Sequence, residues 1–206
     1  REIRRNSAKK NKQLTNVLID DHHYTQSYWA CYSRYLKEVK DFSDTSIQQI
    51  RDTAKKILEH KSHDNDYQTD DVVKGLVIGY VQSGKTSHYA GLMSMAVDNG
   101  YNLVIILAGV MRNLRDQTYD RLKRELSLES KRPWNFLRPN SLHYDKHTSR
   151  ELDKKIPTVA VVLKNKTKLK KLKEWLDFQV TQAVNTELKV LLIDDECDQA
   201  GINTQA

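Results

Sequence analysis

Apolar residues recur at helical spacing in the first third of the chain and as short continuous runs thereafter. Between Tyr24 and Lys40, the residues Trp29, Tyr32, Leu36 and Val39 fall three, four and three apart, which predicts one helix with one apolar stripe. A second helix is expected from Ser46 to His60, burying Ile47, Ile50, Ala54, Ile57 and Leu58, with Thr45 and Gln48 as a capping box. The pattern changes at Gly75. Gly75–Gly79 reads as a strand, Lys85–Asp98 as a helix stopped by Asn99-Gly100, and Asn102–Ala108 as a strand. That last run is apolar without alternation, as in a parallel strand covered on both faces. A helix over Met111–Leu126 should turn Leu114, Leu122 and Leu126 inward. Residues 127–156, with Pro133 and Pro139, read as an irregular insertion pinned by Trp134, Phe136 and Tyr144. Thr158–Leu163 is the next strand, and a helix over Thr167–Thr186 should bury Leu169, Leu172, Leu176, Val180 and Ala183. Lys189–Asp194 closes the series as a strand. Strands alternating with helices predict βαβ units, a mainly parallel sheet and right-handed crossovers. The fold class is therefore α/β, with a helical N-terminal extension over 1–70 and the α/β lobe over 71–206.

Composition narrows the setting. The 206 residues are 38% hydrophobic and 30% charged, enough for a real core, and no apolar run reaches the ~20 residues of a membrane span. Cys31 and Cys197 build neither a disulfide framework nor a zinc site, and His22, His23 and His63 have no metal-ligand spacing. A reducing, cytoplasmic setting without a membrane is expected. The net charge of +7 is concentrated: residues 1–12 carry six basic groups against Glu2, and residues 163–173 carry six lysines and no acid. Such patches attract phosphate backbones, or are simply solvated.

Six of the seven glycines lie between Gly75 and Gly109, where the backbone must turn sharply or approach something closely. Within that segment stands Gly79-x-x-x-x-Gly84-Lys85-Thr86, the Walker A pattern, between a predicted strand and a predicted helix. Its glycines let successive N–H groups of Gly79, Gln82, Ser83 and Gly84 turn toward phosphates, and the helix starting at Lys85 adds its positive end. Lys85 would reach the β- and γ-phosphates of ATP, and the Thr86 hydroxyl would coordinate Mg²⁺. The last strand runs into Asp194-Asp195-Glu196-Cys197-Asp198, the Walker B arrangement. Acids at the carboxyl end of a parallel strand arrive beside the phosphate loop, so Asp195 would hold Mg²⁺ and Glu196 would orient or deprotonate the attacking water. The expected fold is then a RecA-like P-loop NTPase lobe.

Asp195-Glu196-Cys197-Asp198 also resembles the DExD box of superfamily 2 helicases. Leu114-Arg115-Asp116-Gln117 resembles their motif Ia, and Leu163-Lys164-Asn165 stands in the place of motif Ib without its Thr-Pro-Gly. The resemblance implies nucleic-acid contacts from Arg112, Arg115, Gln117, Lys164 and Asn165, and an adenine-reading glutamine at Gln68. Three segments together, Gly75–Thr86, Leu107–Gln117 and Leu192–Thr204, resemble the Z-one domain family, with Cys197 and Gly201 where that family usually has Ala and Ser. The family comprises bacterial superfamily-2-like ATPases labelled as endonucleases and associated with restriction and phage defence. It implies a helicase-like, DNA-dependent ATPase with DNA and defence-complex proteins as partners. No nuclease metal constellation accompanies that label here. A nucleotide switch or kinase without nucleic acid, a non-catalytic ATP-binding adaptor, and an endonuclease subunit whose nuclease site lies elsewhere remain as alternatives. Helicase-type ATPases continue into a further strand and a second lobe, so the chain is expected to be the N-terminal part of a longer protein. That further strand should lie between Gly75–Gly79 and Lys189–Asp194, which are therefore not expected to pair.

Overall fold

The computed structural model of the chain describes residues 27–59, 74–77, 84–137, 156–182 and 188–195, with backbone alone at 180–182. In chain order the elements are α1 (Tyr28–Glu38), α2 (Asp44–Glu59), α3 (Lys85–Asp98), β1 (Leu103–Ala108) and α4 (Arg112–Leu122), which runs into a π-helical turn (Lys123–Glu129). Then come β2 (Asn135–Leu137), β3 (Thr158–Val162), α5 (Lys166–Gln182) and β4 (Val190–Asp195). The strands form one all-parallel sheet in the order β2-β3-β1-β4.

Strand periodicity decides what covers each face. Val104, Ile106, Val159 and Val161 join a layer built by Tyr32 and Leu36 of α1, Ile50 of α2, Met93 of α3, and Leu122 and Leu126 beyond them. Their neighbours Leu103, Ile105, Ala160 and Val162 meet Leu172 and Trp175 of α5 on the opposite face. Both faces of β1 and β3 are thus dry, as their unbroken apolar runs require. The N-terminal helices share this core with the sheet. Asp98, the last residue of α3, caps the start of α1: its two carboxylate oxygens accept the N–H groups of Tyr28 and Trp29, each at 2.9 Å. Burial nevertheless raises the pKa of Asp98 above the usual carboxylate value. Gly91 lets α3 approach its neighbours, because a Cβ there would stand 2.5 Å from the Ile50 side chain.

The strands are tied at both ends. At the amino ends, the Asn102 side-chain carbonyl accepts Lys189 N–H at 3.0 Å and its backbone carbonyl accepts Thr158 N–H at 3.0 Å. At the carboxyl ends, Lys164 N–H donates to Gly109 O at 2.8 Å, while its ammonium meets the Asp194 carboxylate at 2.9 Å.

Several local expectations change. Residues 74–77 are not in a strand, and Leu76 and Val77 are 71% and 62% exposed. An apolar run needs a partner strand to become one. Ile78 and Gly79 lie outside the described residues. Among the described residues β4 pairs with β1 and not with 74–77. Ser43, rather than Thr45, caps α2, accepting Ser46 N–H at 3.1 Å. Within the insertion, Asn135–Leu137 forms a short strand against β3. Trp134 is buried as expected; Tyr144, Val180 and Ala183 fall outside the side chains described. Val39, Leu114 and Leu169 are exposed, and Trp175 is the large buried residue of α5.

Candidate functional site

The site sits where β1 and β4 end and α3 begins. Gly84 precedes α3 with φ +71°, a left-handed conformation that suits glycine, and its carbonyl accepts the Ser87 N–H at 2.8 Å. The turn therefore delivers Lys85, which is exposed, and Thr86, which is half-buried, at the first two helical positions. Thr86 and Asp195 line one open cavity of about 210 Å³, together with Ala108, Gly109, Leu114, Gln117, Thr118 and Arg121. Residues 114, 117, 118 and 121 are one face of α4, which explains why Leu114 is not in the core. The cavity is smaller than those that enclose whole drug-sized ligands, and it suits the end of a phosphate chain and its cation. Its hydroxyl and carboxylate are hard oxygen donors of the kind Mg²⁺ takes, and Mg²⁺ needs few protein ligands because it keeps water and phosphate oxygens. Among the described residues no cluster of three or more His, Cys, Asp or Glu residues offers a fuller metal cage.

Behind the cavity lies a polar network. Arg121 donates from Nη1 to Thr86 Oγ1 at 3.1 Å and from Nε to Glu125 Oε1 at 3.0 Å. Glu125 is fully buried on the π-helical turn and is held by Lys40 Nζ at 2.5 Å, with the Tyr32 hydroxyl 3.4 Å from its other oxygen. The Tyr32 hydroxyl also lies 3.5 Å from Ser87 O. Burial, with the Glu125 charge beside it, holds Tyr32 protonated far above the ordinary phenol range. Burial likewise pushes the Tyr89 phenol up to about 12; a hydrogen bond with Thr86 opposes this and the Asp195 carboxylate adds to it. His88, the next side chain along α3, is pushed down by burial.

Of the sequence-derived candidates, Thr86 and Asp195 line this cavity, and Lys85 is exposed at the helical position before Thr86. Gly79, Gln82, Ser83, Gln68 and Glu196 lie outside the described residues. The residues expected to touch nucleic acid divide. Arg112 and Asn165 are exposed, although the Asn165 side chain also caps α5 by accepting Lys168 N–H at 2.9 Å. Gln117 belongs to the cavity. Arg115 is buried beside Asp116, 2.7 Å away, and Lys164 is buried on Asp194, so neither presents its charge outward. Sequence reasoning missed Arg121, Thr118 and Tyr89. The signal for the first two was a polar stripe at helical spacing on α4, the helix that follows β1.

Among the described residues no helix is long and apolar enough to cross a membrane. No family model, curated protein or solved structure matches the chain.

Proposed function

We propose that this chain is the ATP-binding lobe of a RecA-like ATPase, with Lys85 on the phosphates, Thr86 and Asp195 holding Mg²⁺, and Glu196 serving the attacking water. The supporting observation is that Thr86 and Asp195, 109 positions apart, line one cavity at the carboxyl ends of parallel strands, where ligands of such sheets bind. Bound there, Mg²⁺ supplies charge neutralisation for the terminal phosphates. The sequence resemblance extends the reading to a DNA-dependent, helicase-like ATPase of a restriction or phage-defence complex, with exposed Arg112 just ahead of the motif Ia segment as a nucleic-acid contact. Burial of Arg115 and Lys164 favours a second reading, a nucleotide switch whose turnover ignores DNA. Lys85→Ala should abolish ATP binding while the protein stays folded; normal affinity in that variant would refute the phosphate-loop assignment. ATP turnover by the complete protein, with and without single- and double-stranded DNA, separates the two readings. Stimulation supports the helicase-like ATPase, and indifference to DNA supports the switch.

A further inference from the structure

The Arg121–Glu125 pair is unbalanced. Glu125 carries one negative charge, is 1% exposed in its side chain, and already has the Lys40 ammonium at 2.5 Å. A buried carboxylate must be paired, and Lys40 suffices for that. The Arg121 guanidinium is a second cation on the same oxygen, with its side chain 41% exposed and lining the cavity with Thr86 and Asp195. Within these three groups one positive charge is left over, and it shares the cavity with the Asp195 carboxylate. Only the Arg121 end of this pair is open to water, and the buried carboxylate already has Lys40 as its cation. The placement of Arg121 is better explained by what its head faces.

That head rests on Thr86 Oγ1 at 3.1 Å. On the nucleotide reading above, on which this inference rests, the same hydroxyl belongs to the cation. A divalent ion held by that oxygen would be repelled by a guanidinium on it. A triphosphate brings the negative charge that resolves the conflict. The two bonds of Arg121 use two of its five N–H groups, and the planar fork suits phosphate oxygens. We propose that Arg121 reads the terminal phosphate, exchanging the Thr86 hydroxyl for a γ-phosphate oxygen when nucleotide binds, and that buried Glu125 positions it through Nε. The π-helical turn that carries Glu125 is the irregularity through which α4 meets the buried carboxylate; such turns recur at functional sites. Lys40 of α1 reaches the same carboxylate from the N-terminal helices.

The test is calorimetric binding of a non-hydrolysable ATP analogue and of ADP, both with Mg²⁺, to the full chain and to Arg121→Gln, Glu125→Gln and Lys85→Ala. Arg121→Gln should lose about ten- to hundredfold in triphosphate affinity, the scale of a charge-assisted hydrogen bond, with little change for ADP. Glu125→Gln should lose the same discrimination in part. If it does not fold, Glu125→Asp, which keeps the charge but shortens the reach, serves instead. An unchanged ratio of triphosphate to diphosphate affinity in Arg121→Gln overturns the proposal while Lys85→Ala still loses both nucleotides. If the wild-type chain binds neither nucleotide, the phosphate-loop reading fails and this inference fails with it. Equal weakening for both nucleotides makes Arg121 a structural support of Thr86 and also overturns the proposal.

Discussion

β1 and β4 look alike in sequence and differ in the structure. β1 reads Leu-Val-Ile-Ile-Leu-Ala, and β4 reads Val-Leu-Leu-Ile before its acids. They are register partners, Leu103 with Val190 and Ile105 with Leu192. Ile105 is fully buried, whereas Leu192 is 55% exposed. The layer of α1, α2 and α3 reaches Leu191 and Ile193 of β4. The layer on the opposite face, carried by Leu172 and Trp175 of α5, covers β1 and β3, and Val190 and Leu192 stay exposed. An apolar run therefore tells that a strand can be covered on both faces, and its place in the sheet tells whether it is. β1 serves the core; β4 delivers Asp194 to Lys164 and Asp195 to the cavity.

The same cut through matched residues should expose the contrast. Ile105→Ala opens a cavity in the layer between the sheet and α5, and should cost about 2–5 kcal/mol of unfolding free energy in urea titrations. A cost below about 1 kcal/mol would mean that the α5 layer is not packed as described.

Lys164→Met sharpens the comparison at the point where the buried and exposed strands are joined. The substitution keeps the apolar stem and removes the ammonium from Asp194. Because Asp194 is 37% exposed in its side chain, water takes over much of its solvation. The loss should be about 1 kcal/mol, shrinking in high salt. A larger, salt-independent loss would show that the carboxyl end of β4 is as dry as β1.

What could be read from the sequence follows the same division. The limits of α3 were legible to the residue, because Gly84 and Asn99-Gly100 mark its ends chemically. β1, β3 and β4 were legible within a residue or two at each end from their apolar runs. Asn135–Leu137 was not, since three residues carry too little pattern, and its pairing is set by β3. The inward register of α4 held for Leu122 and Leu126 but not for Leu114, because the face bearing Leu114 belongs to the cavity. Thr86 and Asp195 could be paired in advance because each stands in a motif with a known partner. Arg121 could be read as part of a polar stripe on α4 but not paired, because no spacing rule connects it to Thr86 or to a buried glutamate on a π-helical turn.

The smallest effect is the most discriminating. Leu192→Ala removes the same class of side chain as Ile105→Ala, from the position directly paired with it. More than half of Leu192 stays exposed in the folded chain, so truncation transfers little apolar area and leaves no closed cavity. The expected change is within about 0.5 kcal/mol, the usual range for surface substitutions. The difference between the two variants then measures the covering layer itself, since register and side-chain class are matched. A loss above about 2 kcal/mol for Leu192→Ala would mean that something covers that face of β4 in solution. The unlike burial of the two strands would then no longer describe the working molecule.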